Sequence, residues 1–311
     1  MLASVTSGLG CGDTTVTVST SSTGAGGSSS NSATTTTASG GGAPQSLRVL
    51  LFSEAEGDGF VHDSRETAVA ALQQVGKTRG WTVSHTDDSN PWFNDAKLAT
   101  VDVVAWIMTA GDPLTVPEQE AFERFIQAGG GFVGLHSASS THYEWPWYDG
   151  LLGSHFFKHP SVQEGTIRVE RTSHLATAHL PPLWSRVDEW YTHQANPRDH
   201  VNILLSLDEA VGGKLNNQPL AWYQRFDGGR SFYSALGHRK EAYQEPLLIE
   251  HIAGGIEWAG GRQWPKLAIV DLDGVADSGT WLPQQSPPFT YEVTPHGLVM
   301  HDESDAHQHL V

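Results

Sequence analysis

Gly129-Gly130-Gly131-Phe132-Val133-Gly134-Leu135-His136-Ser137-Ala138 carries the strongest structural signal in the chain. Three glycines stop whatever precedes them, and Phe132 to Leu135 is a short apolar run of the length suited to a strand buried on both faces. Small residues then flank a histidine, so strand and sharp turn together have the shape of a nucleophile elbow with His136 in the nucleophile's place. A histidine there can act as general base, electrophile or metal ligand, but not as an acyl-transfer serine or cysteine. Ser137 lies one position off, and no Gly-x-Ser-x-Gly pattern supports a serine hydrolase.

On the amino-terminal side, Val49-Leu50-Leu51-Phe52 is a second buried run. Ser64 stands where it could cap a helix through about Arg79, with Ala68, Ala71, Leu72 and Val75 on one face and Gly80 as the stop. Trp81 to Ser84 and Val103 to Met108 read as strands. Thr115 as cap, Pro117 in the first turn and Ala121, Phe122, Phe125 and Ile126 on one face make a helix before the glycines. The order β-α-β-(short helix)-β-α-β predicts a parallel sheet with helices on both faces. On the carboxyl side, Thr166–Val169, Ile203–Leu207, Leu220–Phe226 and Ser231–Leu236 read as strands, and a helix from about Glu241 to Trp258 buries Leu248, Ile252 and Ile256. Asp227-Gly228-Gly229 is a hairpin signal, so an antiparallel pair extends the sheet.

The chain has 311 residues, with Lys+Arg 18 against Asp+Glu 35 and a formal net charge of -17. No basic surface exists to neutralise a phosphate backbone, which excludes nucleic acid as a partner. No apolar run reaches the roughly 18 residues of a membrane span. The single cysteine, Cys11, excludes an internal disulfide framework and a thiolate zinc site, leaving 16 histidines and the carboxylates to carry the chemistry.

In a doubly wound sheet, functional groups sit on loops at the carboxyl ends of strands. Four such loops are Ser53 to Asp63, Thr109 to Asp112, His136 to Ser139, and Leu236-Gly237-His238, which places His62, His136 and His238 at one crevice. Asp188-Glu189 before Trp190-Tyr191 adds a carboxyl against aromatic surface, a setting that raises a carboxyl's pKa toward acid/base use. His155 and His159 stand four apart, a spacing at which one helix face could present both to a metal, although Pro160 puts the second at a helix end. Both metal-free proton transfer and a divalent metal held by His136, His159 and His238 with a carboxylate remain open. Trp145, Trp147, Tyr148 and Trp222 are either sugar-stacking surface or core. His85, His142, His174, His179, His193, His200 and His251 are read as structural.

Several motifs in order carry a family resemblance: Gly59-Phe60-x-His62-Asp63-Ser64, the glycine-rich stretch through Ala138, Tyr143 to Tyr148, Phe157-x-His159-Pro160, Ser173-His174, Asp188 to Tyr191, and Leu236-Gly237-His238. From about Arg48 to Gly261 the chain closely resembles the ThuA-like (trehalose-utilisation) family. The resemblance implies an α/β, flavodoxin-like sandwich similar to class I glutamine amidotransferases, without the amidotransferase cysteine. It also implies a role with disaccharides or their 3-keto derivatives, and it transfers to His62, His136, His159, Glu189 and His238. Relatives often carry Arg where this chain has Val61. The resulting expectation is His62, His136, Glu189 and His238 as catalytic groups, with Asp112, Tyr143, Trp145, His159, Tyr191 and Trp222 contacting a small carbohydrate.

Residues 12–46 are dominated by Ser, Thr, Gly and Ala and read as a flexible linker, and 47–261 as the ThuA-like domain. Residues 1–11 end in small residues before Cys11, like the tail of a bacterial lipoprotein signal. A lipid on Cys11 would then be the chain's membrane contact and its address extracytoplasmic. Residues 1–47 carry no Lys or Arg and the apolar stretch is short, so the precursor would begin further upstream; the alternative is an unprocessed disordered tail. Residues 262–311 are Pro-rich and end in His296, His301, His307 and His309 among acids, a poorly ordered appendage that is either solvated or able to hold a transition metal.

Overall fold

The computed structural model describes residues 46–57, 59–208 and 217–261, and the backbone of 289–294, 297–302 and 309–310. Strand β1 (Arg48–Phe52) alternates Val49 and Leu51 toward one apolar cluster and Leu50 and Phe52 toward another. Strands β3 (Val103–Ile107) and β4 (Gly131–Leu135) behave alike: Val103, Ala105, Ile107, Val133 and Leu135 face one side, Val104, Trp106 and Phe132 the other. Burial on both faces is why these strands read as unbroken apolar runs.

With β2 (Thr82–Thr86), β6 (Gln163–Val169), β7 (Leu183–Asp188), β9 (Asn202–Leu207), β10 (Pro219–Phe226) and β11 (Gly229–Ser234), they form a nine-stranded sheet of order β2-β1-β3-β4-β11-β10-β9-β6-β7. The first five in that order run parallel and the other four extend the sheet antiparallel. Asp227 and Gly228 make the two-residue turn between β10 and β11, both at positive φ (46° and 94°), as such a hairpin turn demands.

Helices α1 (Arg65–Arg79) and α5 (Pro246–Ala259) bury Ala68, Leu72, Val75, Leu248, Ile252 and Ile256 on one side of the sheet. Short α2 (Asp95–Leu98), α3 (Val116–Gln127) and α4 (Pro146–Leu152) cover the other with Leu98, Phe122, Phe125, Ile126, Tyr148 and Leu151. The result is a three-layer α/β sandwich, the expected architecture.

The local structure departs from expectation in several places. Ser64 does not cap α1; its backbone is helical and its hydroxyl donates instead to the carbonyl of His238, 2.7 Å away. The last helix is broken, because Pro246 holds Glu245 extended and separates a 3₁₀ turn (Lys240–Gln244) from α5. Helix α4, strand β7, and the small pair β5 (Phe156–Lys158) with β8 (Thr192–His193) were not legible from periodicity. Because β5 is a strand, His155 and His159 do not share a helix face.

Cys11 and nearly all of the Ser/Thr-rich segment lie outside the described residues, as does much of 262–311. Within the latter, β12 (Phe289–Thr294), β13 (Gly297–Asp302) and β14 (His309–Leu310) form an antiparallel three-stranded sheet. No helix among the described residues is long and apolar enough to cross a membrane.

Candidate functional site

Because β1, β4 and β11 are parallel, their carboxyl ends share one edge of the sheet, and His62, His136 and His238 follow those ends. His136 begins a 3₁₀ turn directly after β4 with φ 50°, a left-handed conformation that costs a non-glycine residue of order 1 kcal/mol and turns its ring into the crevice. Glu189 arrives from the opposite end of the sheet. Strand β6 pairs with β9 only over Ile167–Val169, so its first half and β7 form a two-stranded ribbon, whose last residue, Asp188, delivers Glu189. Two-stranded ribbons coil more strongly than wide sheets, which suits such a return path.

One ligand atom each from His62, His136, Glu189 and His238 lie within 4.8 Å of one another. Glu189 Oε2 is 3.4 Å from His136 Nε2 and 3.2 Å from His238 Nδ1, and the two imidazole nitrogens are 3.3 Å apart. His136 Nδ1 is 2.7 Å from the carbonyl oxygen of Ala235, which only accepts, so Nδ1 carries the proton and donates it there. A protonated Nε2 donates to the Glu189 carboxylate, whereas a bare one turns a lone pair toward it. Two acceptors at that distance are held together by a proton or a cation between them. The ring of Tyr191 stacks on His136 with centroids 4.3 Å apart, and Ser137 Oγ lies 3.2 Å from His62 Nδ1.

Burial, together with the neighbouring His136 and His238, lowers the pKa of His62 to about 3, which keeps it neutral and able to share its lone pair. For Glu189 burial opposes ionisation, but hydrogen bonds from His136 and His238 outweigh it and hold the carboxyl well below its usual range. The aromatic setting therefore does not raise this carboxyl, contrary to expectation. His238 is shifted upward, first by its hydrogen bond to Glu189.

His159 stands just outside the four, its Nδ1 2.9 Å from Glu189 Oε1, so in the histidine set expected for a metal His62 replaces His159, while Glu189 takes the place of the expected carboxylate. Tyr191 is buried as a wall of the site. Asp112 pairs with His142 (3.3 Å) rather than with the cluster. Tyr143 is exposed, its hydroxyl donating to the Phe156 carbonyl, 3.0 Å away. Trp145 and Trp222 do not offer the expected sugar surface. Trp222 is fully buried with its indole N–H given to the Leu152 carbonyl, and Trp145 is buried against Trp147 and Tyr148. Phe60 is the exposed aromatic ring beside the cluster, 68% accessible and edge-on to His62 at 4.8 Å.

Asp188 is an unanticipated part of the site. Its buried carboxylate accepts from the backbone N–H groups of Glu189 (2.9 Å), Gly237 (3.0 Å) and His238 (3.1 Å) and pairs with buried Arg186 at 3.2 Å. Trp184, Arg186 and Asp188 share the inward phase of β7, an alternation in which a charged pair two residues apart already marks a buried ion pair. A cavity of about 140 Å³ opens beside the cluster, lined by His238, Asp63, Arg239, Lys240 and Glu241.

Among solved structures, the chain is similar to a ThuA-like protein from Bacteroides uniformis, at 23% identity and a TM-score of 0.59, over 70% of this chain and 93% of that one. A ThuA-like protein from Parabacteroides merdae is similar at 18% identity and a TM-score of 0.61, over 72% and 94%. At such identities the likeness concerns the fold. No curated protein matches the sequence. The family model described as ThuA, trehalose utilisation, matches residues 48–259, the whole sheet together with every residue of the cluster, and the chain belongs to that family.

Proposed function

We propose that the protein processes a small carbohydrate, a disaccharide or 3-keto-glycoside, by histidine/carboxylate acid–base chemistry at His62, His136, Glu189 and His238, with a divalent cation held among them. The convergence of three imidazoles and one carboxylate within 4.8 Å at the strand ends carries this reading. Membership in a family described by trehalose utilisation supports the substrate class.

The donor set fits a cation: His62 is neutral, Glu189 is ionised, and His136 is oriented by the Ala235 carbonyl in the way metal-bound histidines are oriented by an outer hydrogen bond. Such an ion would polarise a sugar carbonyl or hydroxyl. His136, His62, His238 and Glu189 would hold it, and the Tyr191 ring would keep the His136 imidazole from turning.

Turnover of trehalose, 4-nitrophenyl glucosides and their 3-keto forms, measured before and after chelation, tests this. Turnover lost on chelation and restored by Zn²⁺ or Mn²⁺ is the expected result. Sugar binding without turnover under any metal condition would make the protein a binding module instead. Indifference to the chelator would leave proton transfer by the side chains alone.

A further inference from the structure

We infer that the cavity beside His238 is a second-ring subsite, which takes the neutral, hydroxyl-bearing sugar on the far side of the processed bond, with Asp63 and Lys240 setting that preference. The inference rests on the sugar-processing reading above and narrows its substrate to a glycoside whose other half is itself an uncharged polyol.

Two short segments, His62-Asp63-Ser64 and His238-Arg239-Lys240, are joined three times to make the cavity. The His62 and His238 rings meet edge to face with centroids 5.3 Å apart. Lys240 Nζ lies 3.0 Å from Asp63 Oδ2, and the buried Ser64 hydroxyl donates to the His238 carbonyl at 2.7 Å. The backbone beyond is fixed as well, since the Ala242 N–H donates to the Arg239 carbonyl at 3.1 Å within the 3₁₀ turn over Lys240–Gln244. His238 belongs to both places: its Nδ1 is 3.2 Å from Glu189 Oε2, and it lines the cavity. A ligand end seated there abuts the cluster itself.

The lining selects what that end is. Beside His238 it consists of Asp63, Glu241, Arg239 and Lys240, two carboxylates and two cations that leave no net charge. They stand as acceptor with donor, Asp63 with Lys240 and Glu241 with Arg239 at 3.3 Å. Neighbouring hydroxyls of a pyranose each donate and accept, so they find a partner at every member of such a set. A phosphorylated or carboxylated sugar would call for an excess of cations, and an aryl or alkyl group for an apolar wall. The lining has neither. At about 140 Å³ the cavity is smaller than the roughly 300 Å³ that encloses a whole ligand, so it takes one end of a longer molecule.

Calorimetry on the full chain tests the assignment, with trehalose, methyl α-glucoside, 4-nitrophenyl α-glucoside, the 3-keto form of each, and glucose 6-phosphate as probes. In the series that binds, parent or 3-keto, wild type should hold the disaccharide at least about tenfold more tightly than the methyl glucoside, the order of one hydrogen bond to a charged group. Lys240→Met and Asp63→Asn alter exposed side chains and should fold, and each should shrink that preference to within about threefold. The double variant Asp63→Asn/Glu241→Gln, whose lining has an excess of two cations, should gain affinity for glucose 6-phosphate. Equal wild-type affinity for disaccharide and methyl glucoside, a wild-type preference for the nitrophenyl or phosphate probe, or an unchanged preference in Lys240→Met would each overturn the subsite and leave sugar processing at the cluster in place. A disaccharide bound with the stated preference but never turned over would remove the processing and keep the subsite. A wild-type protein that binds none of the probes overturns both.

Discussion

Asp188 and His238, fifty positions apart in the chain, are joined by a 3.1 Å hydrogen bond from the His238 backbone N–H to Asp188 Oδ1, and the same oxygen accepts from Glu189 at 2.9 Å. One buried carboxylate thereby sets the separation of the two loops that bring an acid and a base to the crevice. Arg186 balances its charge from 3.2 Å. Asp188→Asn preserves the shape but turns an amide donor toward one of these N–H groups. We expect a folded protein with metal affinity lowered by about 10- to 100-fold, since partners behind a ligand carry that order of effect. Asp188→Ala, which leaves buried Arg186 with only its longer 3.4 Å pairing to Glu245 and strands the backbone N–H groups of Gly237 and His238, should cost about 3 kcal/mol in urea unfolding. Wild-type metal affinity in Asp188→Asn would refute the clamp.

His136→Gln and His136→Ala remove the imidazole nearest the middle of the group. Both variants should fold, because the ring's contacts are to Tyr191, the other cluster members and one backbone carbonyl. Turnover should fall by at least about a hundredfold, with sugar affinity within roughly tenfold of wild type. Steady-state kinetics beside calorimetric binding separates the two, and equal turnover in all three proteins would remove His136 from the chemistry.

Phe60 is the aromatic surface that a sugar ring approaching His62 would meet first. Phe60→Ala should raise KM several-fold with kcat little changed, and Phe60→Trp should restore it, as a stacking contact requires. A fall in kcat at constant KM would contradict a binding role.

Acid sensitivity follows from buried histidines outside the cluster. Burial lowers the pKa of His174, His193 and His251 from 6.5 to about 3, with neighbouring cationic groups adding to the effect. Between those values the unfolded chain binds more protons than the folded one, so stability is full above pH 6.5 and is lost as the pH falls toward 3. By pH 5.5 each histidine should cost about 1 kcal/mol. Urea midpoints at pH 7.5, 6.5 and 5.5 measure the slope, and a flat profile would mean that these rings accept protons without unfolding.

Gly131 opens β4 against the end of α5, where an added Cβ would fall on the Ala259 carbonyl. Backbone cannot move aside as a side chain can, so Gly131→Ala should destabilise by about 1–3 kcal/mol in thermal or urea unfolding. An unchanged midpoint would show that α5 shifts freely along the sheet.

Much of the sheet was legible because its signals are local. Runs such as Leu50 to Phe52 and Phe132 to Leu135 are apolar at every position only when both faces are covered, and Asp227-Gly228 announces its own turn. Parallel pairing then puts the carboxyl ends of β1, β4 and β11 on one edge, which is why His62, His136 and His238 could be assigned to one crevice from their loops alone. The same local reading failed where a residue's role depended on distant partners. Ser64 looked like a helix cap, but a carbonyl 174 positions away takes its hydroxyl. Trp145 and Trp222 looked like ligand surface, yet they fill the core, while Phe60 is left outside.

Glu189 shows the division most clearly. Its neighbours Trp190 and Tyr191 suggested a carboxyl pushed toward neutrality, and in isolation burial would do that. The β6–β7 ribbon instead delivers it among three imidazoles, and its contacts with two of them, His136 and His238, hold it ionised. Backbone propensity and apolar periodicity act within a few residues and are written in short windows of the chain. The charge state of a buried group is set by what lies within a few ångströms, and that is known only once segments fifty or more residues apart have packed together.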